Sequence, residues 1–188
     1  RDLPEELRPW EKSLHARAVE LTSETEVRTF LDAATEALGP IDILVNAAGG
    51  YAGGEAIGQA KRSTSKQMLS SNLMTAFVMC TAVLPGMRLR KHGRIINIAA
   101  MPALTPAALR GPYAIAKRGV ITLTETIAEE VKGTGITANA IAPSIILTPA
   151  NKESMPGADT SRWVTPGEIA DLIVFLSTES ARSISGNI

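Results

Sequence analysis

A tyrosine and a lysine four residues apart, in the run Tyr113-Ala114-Ile115-Ala116-Lys117, are the first side chains here whose types and spacing could do chemistry together. On a helix, residues at that spacing lie one above the other on the same face. A free phenol has a pKa of about 10, and a nearby cation lowers it by roughly 1 to 3 units, into the range useful for moving a proton. Lys117 could supply that cation. The same spacing also describes an exposed helix pair, so the neighbouring sequence has to decide. Tyr51, Met155 and Trp163 offer flat or polarisable surfaces to a planar substrate, or apolar packing within a lid.

These residues need a scaffold, and short apolar runs alternate along the chain with longer amphipathic segments. That alternation predicts an α/β domain, a parallel sheet with helices on both faces. A strand is expected at 16–21, followed by a capping box, Ser23-Glu24-Thr25-Glu26, that opens a helix closed by Gly39-Pro40. Residues 41–45 suit a strand buried on both faces. Another capping box, Thr64 with Gln67, would begin a helix running to about Arg90, with Pro85 disturbing its last turns. Further strands are expected at 95–99 and 136–142, with a helix over 112–131 between them. A long loop over 144–165 fits a substrate lid. Thr165-Pro166-Gly167-Glu168 then caps a last helix, and a further strand begins near Ser185.

The composition is that of an ordinary globular domain of 188 residues, 45% hydrophobic and 20% charged, and one domain over 1–188 is expected. Nineteen basic residues balance nineteen acidic ones, so no positive field gathers nucleic acid or anionic lipid. The single cysteine, Cys80, lies in an apolar run and reads as a buried structural thiol in a reducing compartment. No run of about eighteen residues is purely apolar, and the first residues do not form a leader, so a cytoplasmic protein without a membrane partner is expected. His15 and His92 have no ligand-spaced companions and read as surface residues, with no metal site. Trp10 has no clear register.

Several motifs follow one another in a telling order. Asn46-Ala47-Ala48-Gly49 follows a strand, Ser71-Asn72-Leu73 lies in the next helix, Gly93-Arg94-Ile95-Ile96-Asn97-Ile98 precedes the tyrosine helix, and Pro143 to Pro149 follows the strand after it. In this order they resemble the short-chain dehydrogenase/reductase family, from about residue 16 to the last residue. The resemblance implies a Rossmann-type, doubly wound sheet and hydride transfer with NAD or NADP, to or from a small C=O/CH–OH or conjugated C=N substrate. It makes Tyr113 the acid/base and Lys117 the group that lowers its pKa and holds the nicotinamide ribose. Asn72 would continue a proton relay at a local disturbance of its helix, while also repairing helix hydrogen bonds. Asn46, Ala47, Ala48 and Gly49 would border the adenosine half of the cofactor, although Asn46 equally suits bracing of adjacent strands. Leu21 would flank the adenine, and Thr148 with the Ile146 backbone would hold the carboxamide, with Ser144 where the family usually has glycine. A homodimer or homotetramer is implied.

Two departures stand out. The family's glycine-rich pyrophosphate turn and its cofactor-selecting residue have no counterpart here, and the strand at 16–21 would then lack neighbours. A domain incomplete at both ends is therefore expected. The family's serine, thirteen residues before the tyrosine, is replaced by Ala100 in Asn97-Ile98-Ala99-Ala100. Loss of such a donor costs an ordinary ketone reduction on the order of 100- to 1000-fold. Thr105 could substitute, or could be a turn residue beside Pro106. The segments 47–54 and 151–163 resemble the dihydropteridine reductase branch, which lacks the serine because its quinonoid substrate is already electron-poor. Three functions follow: a general carbonyl/alcohol oxidoreductase, a dihydropteridine reductase-like enzyme, or a catalytically degraded protein that binds cofactor or a partner.

Overall fold

The computed structural model describes residue 9 and residues 13–188, so the expectation for Trp10 lies outside the described residues. Three parallel strands, β1 (Ile43–Asn46), β2 (Gly93–Ile98) and β3 (Ile136–Ile141), form a sheet of order β1-β2-β3. Parallel neighbours require crossovers, and helices provide them. Helix α1 (Glu24–Leu38) precedes β1; α2 (Arg62–Met68), a π-helical turn (Leu69–Met74) and α3 (Thr75–Arg90) join β1 to β2. The short α4 (Met101–Leu104) and the long α5 (Gly111–Glu130) join β2 to β3, and α6 (Pro149–Ser154) and α7 (Pro166–Ser177) follow.

Alternation along the strands divides the core between the two faces. On one face Leu44, Ile95 and Ala138 meet Val27 of α1, Val78 and Val83 of α3 and Ile127 of α5. On the other, Ile96 and Ile141 meet Leu176 of α7. The sheet is thus covered on both sides, as a doubly wound fold requires.

Two of the strand expectations change. Residues 16–20 carry no regular secondary structure and Leu21 opens a turn; Val19 and Leu21 pack against the core, but the segment joins no β-ladder, because no strand among the described residues lies beside it. In β1 only Leu44 is buried; Ile43 and Val45 stay exposed, since α7 covers β2 and β3 on that face but not β1. At the far edge, residues 186 and 187 begin to add to β3, through the Gly186 N–H on the Ala138 carbonyl (2.8 Å) and the Ala140 N–H on the Asn187 carbonyl (2.9 Å).

The helix ends follow local chemistry. Ser23 caps α1 by accepting from the Glu26 N–H at 3.3 Å, but the Glu26 carboxylate reaches the Glu20 N–H instead of closing the box on Ser23. Thr165 and Glu168 form a complete box on α7. The box expected at Thr64 is absent: the helix starts two residues earlier, after Lys61, and Thr64 lies inside it. Pro85 does not disturb α3, which continues to Arg90 and stops at Lys91 in the left-handed region (φ 53°). The carbonyl one turn before Pro85 belongs to exposed Thr81, where water can take the missing partner's place.

The continuous helix Arg62–Arg90 is long and apolar enough, by length and composition, to cross a membrane, although it is not free of polar residues; here Val78, Met79 and Val83 pack it on the sheet. His15 is half-buried against Phe30 rather than at the surface, with ring centroids 5.9 Å apart. The loop over 144–165 is a flap with a closed base: it contains α6, and Ile146 bridges Val164, with the Leu147 N–H on the Val164 carbonyl at 2.7 Å.

Candidate active site

The candidate residues gather at the carboxyl ends of β1 and β2 and the first turns of α5. Ala47, Ala48 and Gly49 leave β1 exposed and without bulk, so the backbone there is open to a ligand. Just beyond, Asn72 clasps Gly50 from both sides, accepting its N–H at 3.2 Å and donating to its carbonyl at 3.0 Å. The same amide donates to the Met68 carbonyl at 3.1 Å, within the π-turn Leu69–Met74. The helix disturbance implied by the resemblance is therefore present at Asn72, and the amide repairs hydrogen bonds around it.

Lys117 is 5% exposed, and its Nζ donates to the Ile98 carbonyl at 2.7 Å. Gly49 brings Lys117 and Asn72 together, since a Cβ there would lie 2.6 Å from Asn72 Oδ1 and 3.3 Å from Lys117 Nζ. A side chain there would have to displace the ends of Asn72 and Lys117. Burial lowers the Lys117 ammonium from its ordinary 10.5 to about 8.

Tyr113 stands one turn earlier on α5, half-buried, with the Tyr51 ring edge-on against it at a centroid distance of 5.1 Å. The expectation that Lys117 lowers this phenol is reversed here. Burial first, and Tyr51 next, push Tyr113 up, while Arg110 pulls it down. The reason is geometric, because the lysine's Nζ is turned onto the Ile98 carbonyl.

Ala100 is buried at the N-cap of α4 and presents a methyl group where the resemblance places a hydroxyl. Thr105 is an exposed C-cap residue beyond α4, as the turn reading expects. Asn46 braces strands: its Nδ2 donates to Asn97 Oδ1 at 2.8 Å, and Asn97 donates to Thr124 of α5 at 2.8 Å. In the sequence Asn97 stands out only as part of its motif, with no bracing role, and Thr124 not at all, although paired asparagines at the ends of two adjacent strands are a usable signal. Cys80 touches this chain too; burial pushes its thiol up to about 12, which suits packing and not nucleophilic attack.

The remaining candidates are dispersed. Leu21 packs partly against the core below α1 and α3. Thr148 caps α6 by accepting from the Asn151 N–H at 3.2 Å, and its hydroxyl proton remains available. The Ile146 carbonyl is taken by Asn151 Nδ2 at 2.8 Å. Met155 and Trp163 are half-buried on the flap, and the structure does not join them to the Tyr51–Tyr113 contact.

The residues present fit a dinucleotide: small exposed positions at the end of β1, where its backbone can be approached, and a buried lysine on α5 for the nicotinamide ribose. Known proteins agree. The profile described as short chain dehydrogenase matches residues 1–159. A D-beta-hydroxybutyrate dehydrogenase of Cupriavidus necator is 34% identical over 189 aligned residues, covering 90% of this chain and 73% of its own. The 3-oxoacyl-acyl-carrier-protein reductase FabG of Vibrio cholerae is 32% identical, covering 90% of this chain and 72% of its own. A solved structure described as ElxO with NADP bound shares the fold, with a TM-score of 0.88 at 24% identity over 95% of this chain and 76% of that one. Family match and curated relatives together establish that this chain belongs to the short-chain dehydrogenases and is an NAD(P)-dependent oxidoreductase of that type.

Proposed function

We propose that this enzyme reduces a small carbonyl compound, with Tyr113 as the proton donor to the substrate oxygen. The bound NAD(P)H supplies the hydride. The observation that carries the reading is the cluster in which Lys117 and Asn72 meet over Gly49, one turn along α5 from Tyr113. Tyr113, pushed up by burial, holds its proton at neutral pH and can release it to an oxygen that is gaining charge. Lys117 would hold the ribose hydroxyls, and Asn72 would anchor a proton relay. Ala47, Ala48 and Gly49 would leave room for the adenosine half, and the Thr148 hydroxyl and Ile146 N–H would meet the carboxamide. The relatives named for hydroxybutyrate and oxoacyl chemistry support a β-oxygenated acyl or similar small substrate.

A second reading, an electron-poor pterin-like acceptor, is favoured by one observation: the buried methyl of Ala100. Oxidation of NADH and NADPH with a panel of simple ketones and a freshly generated quinonoid dihydropterin separates the two. Tyr113→Phe is expected to abolish turnover while cofactor affinity stays within about threefold, since the phenol acts on the transition state. Unchanged turnover would remove Tyr113 from its role. We also assign the enzyme to the cytoplasm as a homo-oligomer, supported by a single buried thiol and by exposed Phe77 on α3 and Ile115 on α5.

A further inference from the structure

With a methyl group at position 100, the site lacks the hydroxyl that the family resemblance places there, yet a second phenol ring packs against that of Tyr113. It belongs to Tyr51, which comes from the loop after β1 and meets the Tyr113 ring nearly at right angles, 81° between planes. The contact is held from both sides. Before Tyr51, Gly50 is clasped through its N–H and its carbonyl by Asn72. After it, the Gly54 N–H donates to the Leu109 carbonyl at 2.7 Å. Leu109 adopts a left-handed backbone, φ 65°, a conformation unfavourable for a leucine. Between these anchors the phenol lies over bare backbone: a Cβ on Gly53 would fall 2.6 Å from the Tyr51 hydroxyl and 2.8 Å from the Leu109 oxygen. Glycine at 53 is what leaves room for the phenol. The Tyr51 side chain is also open, 61% exposed, so it is not consumed by the core.

We propose that the Tyr51 phenol replaces the hydroxyl missing at Ala100, donating a hydrogen bond to the same substrate oxygen that Tyr113 protonates. The inference rests on the reading of Tyr113 as the proton donor. As hydride adds to the carbonyl carbon, the C=O π pair moves onto oxygen, and that oxygen takes the Tyr113 proton. Tyr51 keeps its own proton and only stabilises the developing charge. This fits a ketone or aldehyde substrate, whose oxygen needs such a donor, better than a substrate already poor in electrons.

With a ketone, Tyr51→Phe should lower kcat by about 10- to 100-fold, toward the loss seen when an oxyanion donor is removed, with KM little changed. Ala100→Ser added to Tyr51→Phe should recover most of that loss, which a purely structural role for Tyr51 would not allow. The proposal is overturned if Tyr51→Phe leaves kcat unchanged, or if Ala100→Ser speeds the wild type and Tyr51→Phe by the same factor. A wild type inactive on every ketone would instead count against the Tyr113 reading and against a carbonyl substrate.

Discussion

Lys117 carries a charge where charge is poorly solvated, and among the described residues its hydrogen-bond partner is the Ile98 carbonyl. Its folded pKa of about 8 lies below the ordinary 10.5, so between these values the unfolded chain binds more protons than the folded one. Stability of the cofactor-free enzyme should therefore rise with pH across that window, by up to about 3 kcal/mol at 1.36 kcal/mol per unit. Tyr113 acts in the opposite sense: its raised phenol keeps its proton in the folded state, so its contribution falls as pH rises above about 10. Urea midpoints from pH 7 to 10 should increase for the wild type and stay flat for Lys117→Met; a flat wild-type profile would show that Lys117 is not buried in solution. The Tyr113 and Lys117 pairing was legible because helical spacing alone puts both on one face. The direction of the Tyr113 shift was not, since it depends first on burial and then on Tyr51, a loop residue distant in sequence.

At the scale of elements, the site is held by a polar chain that crosses the sheet. Asn46 on β1, Asn97 on β2 and Thr124 on α5 bond in series, and Asn97 and Thr124 are fully buried. Asn97→Ala should cost about 1 to 3 kcal/mol, because it strands the Asn46 amide and removes the acceptor of that bond. Urea unfolding would read the loss, and a cost under about 0.5 kcal/mol would mean that water repairs the gap. The strand register Asn46 to Asn97 that makes this pair is long-range. From sequence, Asn46 could be a cofactor residue or a brace, and only the pairing of β1 with β2 identifies its partner. Helix ends were more readable where a cap is local, as at Thr165, than at Thr64, where the chain enters the helix earlier. Whether 16–21 forms a ladder was not a local question at all, since a strand needs a neighbour.

Across the whole molecule, apolar side chains remain exposed on the two helices that carry the site. Met74 ends the π-turn, Phe77 faces outward on α3, and Ile115 faces outward on α5 between Tyr113 and Lys117. A side chain two residues from each catalytic candidate points to the opposite side of the helix, so Ile115 presents the back of the catalytic turn. Covering that back would fix the turn that positions the phenol and the lysine, and a second copy of the same surface is the symmetric way to do it. Neutral net charge places no global repulsion between copies. We expect sedimentation equilibrium to give at least a dimer for the wild type, and Phe77→Asp with Ile115→Asp to shift it to monomer with a lower melting temperature. Because Lys117 and Asn72 face away from this surface, the monomeric variant should keep cofactor binding and lose kcat, as expected if pairing orders the catalytic turn without contacting the substrate. A wild type that stays monomeric at micromolar concentration, or a monomeric variant with full kcat, would leave these apolar residues without that role.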